Sequence, residues 1–170
     1  MDAEIPWDKS RMEFKPVTMD LTYEGGMRFV AVGQNGVSIP IDAHVHLGGG
    51  GGIPHPIDYL IASLGGCVGI KILLSLSDNG IVPERLTINV NGTRKQSLPA
   101  TFDHVHFGIG IAAPVDDARI REIMDRTLQY LCPIAAMFAE VGELTYECRL
   151  LPMMDAVTDQ GSDRISKNHI

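Results

Sequence analysis

Two short runs, Met19 to Glu24 and Met27 to Val32, open the ordered pattern of the chain, separated by Gly25-Gly26. Two glycines supply the positive φ of a tight primed turn, so the pair predicts a β-hairpin. Val37 to Ile41 predicts a third short strand after the turn signal Gln34-Asn35-Gly36. Beyond the glycine run Gly48 to Gly52 the pattern changes. Ile57, Leu60, Ile61, Leu64, Cys67, Val68, Ile70, Leu73, Leu74 and Leu76 cover nearly every face of a helix. Such a helix is buried, not surface-amphipathic. Pro56 suits its first position and Asp58 its first turn, and Asn79-Gly80 stops it. Gly65, Gly66 and Gly69 lie inside it, each costing up to about 1 kcal/mol against alanine. They point to close approach of another element or to room for a ligand.

Alternation returns in Arg85 to Asn91 (RLTINVN) and Thr101 to Ile111 (TFDHVHFGIGI), which predict half-buried strands. Asp116-Asp117 opens a second helix through Ile120, Ile123, Met124, Leu128 and Leu131. Cys132-Pro133 breaks it, because proline removes a donor and biases the preceding residue away from the helical region. A short helix from Ile134 to Ala139 and a last alternating strand, Glu143 to Leu150 (ELTYECRL), complete the order β-β-β-α-β-β-α-β. This order predicts an α+β fold with antiparallel sheet. The Ile57 helix has more apolar faces than one small sheet covers, and a dimer would bury the rest.

Composition narrows the function. The chain has 170 residues, 45% hydrophobic and 21% charged, which fits one globular domain and excludes disorder throughout. Lys and Arg number 14 against 21 Asp and Glu, a net charge of −7 that argues against nucleic acid or an anionic membrane as partner. Residues 1–17 read as a charged N-terminal arm without a secretory h-region, 18–150 as the domain, and 151–170 as a polar, disordered tail. Ile57 to Ser77 has the length of a membrane span but carries Asp58 and Lys71. The expectation is a soluble cytoplasmic protein. The glycine run is followed by no Lys-Ser or Lys-Thr, so it is not a phosphate loop.

Three cysteines are too few for a disulfide scaffold. Cys67 (LGGCVGIKILL) and Cys132 (LQYLCPIAAMF) lie in the two helical segments expected to form the core. They read either as small buried hydrophobes or as a reactive pair. Glycines leave the Cys67 sulfur accessible, and the break at Cys132-Pro133 lets its side chain move. Cys148, alternating with Tyr146 and Leu150, reads as structural. His44-Val45-His46 and His104-Val105-His106 would each share one face of a strand. Two such pairs could build a four-histidine metal site, but plain exposed strand faces are the simpler expectation, and no metal is assigned.

Pro56-Ile57-Asp58-Tyr59-Leu60-Ile61-Ala62-Ser63-Leu64-Gly65-Gly66-Cys67, after a glycine-rich loop, resembles the first cysteine motif of the OsmC/Ohr family (osmotically inducible protein C, organic hydroperoxide resistance). Leu131-Cys132-Pro133-Ile134 resembles the second, and NGIVPERLTINVNG (79–92) is similar too. The resemblance covers about residues 18 to 150. It implies an intertwined homodimer, with antiparallel sheets wrapped around two central Cys-bearing helices, and thiol-dependent reduction of organic hydroperoxides in oxidative-stress defence. Carried over, Cys67 is the attacking thiolate and Cys132 the resolving thiol. No tightly bound cofactor is implied, and an external dithiol of the dihydrolipoamide type restores the thiols. The family also implies an arginine from an early strand, for which Arg28 is the candidate, and an acid near the thiolate. The best-characterised branch carries Glu directly after the proline, where this chain has Ile57. Asp58, one place later, is either that acid or a helix cap. The departure leaves an alternative: a non-catalytic module of the same fold binding a small apolar ligand in the dimer pocket. A third reading is a dimeric scaffold whose cysteines only fill the core.

Overall fold

The structure, a computed structural model, describes residues 15–153. Nearly all of the expected arm, 1–17, and tail, 151–170, lies outside those residues. Strands β1 (Met19–Gly25), β2 (Arg28–Gly33) and β3 (Ser38–Ile41) form an antiparallel sheet in the order β1-β2-β3. The β1–β2 turn uses Gly25 and Gly26 at φ 105° and 58°, a region closed to most side chains. A 3-10 turn, Val45–Leu47, leads through the glycine loop into helix α1 (Pro56–Ser77). His55 caps α1: its Nδ1 accepts the Asp58 N–H at 3.2 Å, and the Asp58 carboxylate accepts the His55 N–H at 3.0 Å. Gly80, at φ 69°, ends it as the sequence predicts.

Strands β4 (Arg85–Arg94), β5 (Phe102–Ala112) and β6 (Glu143–Leu150) form the second sheet, with β5 central. Here the expectation of purely antiparallel sheet needs correction. β4 and β5 are antiparallel, but β6 runs parallel to β5, from His104↔Glu143 to Ile111↔Leu150. The reason is the connection. Helix α2 (Asp117–Arg126), a π-helical segment (Thr127–Leu131) and helix α3 (Pro133–Ala139) carry the chain back before β6 begins, and a crossover of that length produces parallel pairing. The π segment was not predicted either. It closes with the Cys132 N–H donating to Thr127 O at 3.0 Å, a five-residue span. Cys132 is extended (φ −96°, ψ 107°), as a residue before proline should be.

The core lies between α1 and the inner face of the second sheet. Leu64, Val68, Ile72 and Leu76, spaced by four on α1, cluster with Val105, Phe107, Ile109 and Ile111 of β5. Ile120, Ile123 and Met124 of α2 and Ala135 and Phe138 of α3 complete it. The glycines of α1 now have distinct reasons. A Cβ at Gly65 would come within 2.9 Å of Val90, and one at Gly69 within 3.0 Å of Ile88, so these two allow β4 to approach α1. Gly66 faces open space. Elsewhere on α1, Leu60, Ile70, Leu73 and Leu74 are exposed, and a cavity of about 530 Å3 runs along Gly66, Ile70 and Leu73 against Leu86, Ile88 and Val90. Among the described residues α1 is the one helix long and apolar enough to cross a membrane. In this fold one of its sides is the core face.

Candidate active site

α1 carries Cys67 at mid-length past the junction of the π segment with α3, where Cys132 sits. The crossing brings the two sulfurs to 2.9 Å, with the Cys132 thiol donating to Cys67 Sγ. Both are free thiols; Cys67 is half-buried and Cys132 buried. The break at Pro133 is what frees Cys132 for this role. As N-cap of α3, its Sγ also accepts the Ala135 N–H at 3.3 Å. Burial, with the hydrogen bond to Cys67 adding to it, pushes the Cys132 thiol up to about 11. Cys132 is therefore a protonated donor at neutral pH, while the more accessible sulfur is that of Cys67.

Cys148 packs against the core from β6, in keeping with a structural residue. Burial pushes its thiol up to about 11 as well. Tyr146 is pushed up to about 12, by burial and then by donating to the Asp125 carboxylate at 2.6 Å. A group raised in the folded state ionises more readily when unfolded. The two thiols, from a reference of 9.0, thus leave stability intact below about pH 9 and erode it as pH climbs toward 11. Urea unfolding of the reduced protein should show lower stability at about pH 10 than at neutral pH, and Cys148→Val should flatten that dependence. An unchanged slope in Cys148→Val would show that Cys148 takes no part in it.

The other expected site residues have different partners within one chain. Arg28 Nε lies 2.9 Å from the Glu24 carboxylate across the β1–β2 turn, both half-exposed. Asp58 is engaged by His55, so the capping reading of that residue is the one seen. Cys67 lies nine positions after Asp58 along α1, about 13 Å of helix rise. The His55 Nδ1 that accepts the Asp58 N–H also lies 2.9 Å from the Asp58 carboxylate, so the cap is closed on both sides. Ile57 opens onto a cavity at the start of α1.

The first histidine pair is not on a strand. His44 caps the 3-10 turn through Nδ1, which accepts the His46 N–H at 3.4 Å, and Gly48 at φ 92° closes the turn. The second pair does share a face of β5, and both rings meet Thr145 Oγ1, His104 at 2.7 Å and His106 at 2.8 Å. Among the described residues no group of three or more His, Cys, Asp or Glu is arranged to hold a metal ion. Sequence reasoning also passed over Asp42. Its buried carboxylate accepts the Ala43 N–H at 2.7 Å and the Gly50 N–H at 2.9 Å, and so holds the glycine loop. The spacing Asp42 to Gly50 gave no signal, because a loop's own hydrogen bonds follow no period.

The model of the family described as OsmC-like protein matches residues 48–147, more than half of the chain, so the chain belongs to the OsmC-like family. Solved structures share its fold. A proposed osmotic stress induced and detoxification response protein from Psychrobacter arcticus superposes with a TM-score of 0.70 at 25% identity, covering 81% of this chain and 100% of that one. An organic hydroperoxide resistance protein from Elizabethkingia anophelis gives 0.63 at 18% identity, covering 81% and 99%. One from Legionella pneumophila gives 0.63 at 14% identity, covering 81% and 98%. No curated protein matches the chain.

Proposed function

We propose that this protein is a thiol peroxidase for organic hydroperoxides, working in the cytoplasm as a homodimer. The observation that carries the reading is the pair of free thiols, Cys67 and Cys132, 2.9 Å apart on different segments. Thiolate at Cys67, the more accessible sulfur, attacks the peroxide O–O bond. One oxygen stays on sulfur as the sulfenic acid, and the other leaves as alkoxide and is protonated to the alcohol. The Cys132 sulfur then displaces hydroxide from the sulfenic sulfur, giving a disulfide and water. An external dithiol of the dihydrolipoamide type reduces the disulfide by exchange and is itself oxidised. One equivalent of cumene hydroperoxide should therefore give a Cys67–Cys132 disulfide with Cys148 still alkylatable, as read by peptide mass spectrometry. A Cys148 disulfide, or three free thiols, would sink the assignment.

The homodimer rests on the uncovered apolar face of α1 around Gly66, Ile70 and Leu73. One chain leaves that surface in water, where large apolar patches mark association sites. Within one protomer Arg28 pairs with Glu24 and Asp58 with His55, and a role for either at the thiols would draw on the second copy. Ile70→Asp should shift the protein toward monomer in sedimentation, and unchanged sedimentation would place the interface elsewhere. Ile57, in place of an acid, favours the second reading, a non-catalytic module that binds a small apolar ligand. That reading predicts ligand retention without peroxide consumption.

A further inference from the structure

We propose that Asn35 is a site of spontaneous covalent modification, where the side chain closes on the backbone and reopens as aspartate or isoaspartate. The sequence holds three Asn-Gly pairs, Asn35-Gly36, Asn79-Gly80 and Asn91-Gly92. Each carries the necessary atoms, since a glycine after asparagine leaves its nitrogen unshielded by a side chain. In the reaction the Gly36 nitrogen gives up its proton and bonds to the Asn35 Cγ. The Cγ–Nδ2 bond breaks, ammonia leaves with that proton, and a succinimide ring remains. Water then opens the ring at either carbonyl, and nothing is oxidised or reduced.

The fold separates the three pairs. Asn91 lies within β4 in register with His106, so extended backbone holds its Cγ and the next nitrogen apart, and Gly92 is packed against Phe102. At the end of α1 the Asn79 carboxamide is tied at both ends. Its Nδ2 donates to Ser75 O at 2.7 Å, and its Oδ1 accepts from Arg119. Asn35 stands in the turn between β2 and β3, where residues 34–37 are all exposed. Its Oδ1 accepts the Val37 N–H at 3.1 Å, an Asx turn that folds the carboxamide back along the Gly36 backbone. Gly36 is at φ 74°, and a Cβ there would meet nothing, so the ring has room. The contact that must open is the Gly36 N–H to Gly33 O, 2.9 Å, in a surface turn whose local opening costs little. Aspartate adds one negative charge to a chain already at −7. Isoaspartate also routes the backbone through the side chain, which lengthens the link from β2 to β3 and leaves a free α-carboxylate. That carboxylate is the group an isoaspartate-directed methyltransferase takes as acceptor, which sets the class of enzyme partner for this site.

The test incubates the full-length protein at neutral pH in water of heavy oxygen, folded in buffer and unfolded in urea. Digestion in ordinary water and peptide mass spectrometry then read each Asn-Gly pair, and heavy oxygen on a carboxylate formed from asparagine marks a succinimide opened by water. Unfolded, the three pairs should convert at similar rates. Folded, Asn35 should convert at least about tenfold faster than Asn79 or Asn91, because a surface turn opens more readily than a strand or a tied helix end. Methyl transfer from S-adenosylmethionine by an isoaspartyl methyltransferase should label the aged, folded protein. It should fail on aged Asn35→Ser, whose hydroxyl still supplies a side-chain acceptor to the turn. The cysteines take no part, so the outcome is independent of the peroxidase reading. The proposal is overturned if folded Asn35 converts no faster than the other two, or if aged Asn35→Ser takes up as much methyl as the wild type.

Discussion

Cys67→Ser should lower cumene hydroperoxide consumption, with dihydrolipoamide as recycling reductant, by roughly three orders of magnitude or more, because removing a nucleophile removes the reaction path itself. Cys132→Ser separates the two sulfurs. It should still release one equivalent of alcohol in the first turnover and then stall, with a sulfenic acid on Cys67 that dimedone captures. Serine is close to cysteine in size, and Cys67 is only half-buried, so the fold should survive. Turnover retained in Cys67→Ser would end the peroxidase reading. No turnover in the wild type, with both thiols free, would turn attention to Ile57 and to what the protein binds.

Phe107→Ala should be the most destabilising single change in the core. Phe107 is fully buried on β5, paired with Val90 on one side and Tyr146 on the other. Truncating such a ring removes its transfer energy and leaves a cavity, together about 3–5 kcal/mol. Domains of this kind hold only about 5–15 kcal/mol in total, so the variant should approach half-unfolding under mild urea. A loss below about 1 kcal/mol, read from the urea midpoint, would mean that the site collapses around the gap or that the ring is not buried in solution.

Element types were legible because each carries its own period. Alternation marked β4 to β6, glycine turns marked β1 to β3, and apolar residues at helical spacing marked α1 and α2. What was not legible depends on partners distant in the chain. Nothing in Glu143 to Leu150 says whether β6 runs along or against β5; the crossover decides it. His44-Val45-His46 reads as a strand pair until Gly48 and the Asp42 carboxylate fold the loop into a turn. At the candidate site, both cysteines stood out by their glycine and proline neighbours, but their separation is a product of two elements crossing. Arg28 and Asp58 were visible as charges, whereas their pairing with Glu24 and His55 follows from local turn and cap geometry.

The parallel seat of β6 also sets an order of assembly. β5 is central only once β6 has arrived, and β6 must wait for α2, the π segment and α3. On a growing chain β5 therefore emerges as an edge, with the apolar face of Val105, Phe107, Ile109 and Ile111 and a row of unpaired backbone groups beside it. Such an edge is a template for pairing with a neighbouring nascent chain. A chain cut before Glu143 would keep that exposure permanently, and it should collect in the insoluble fraction.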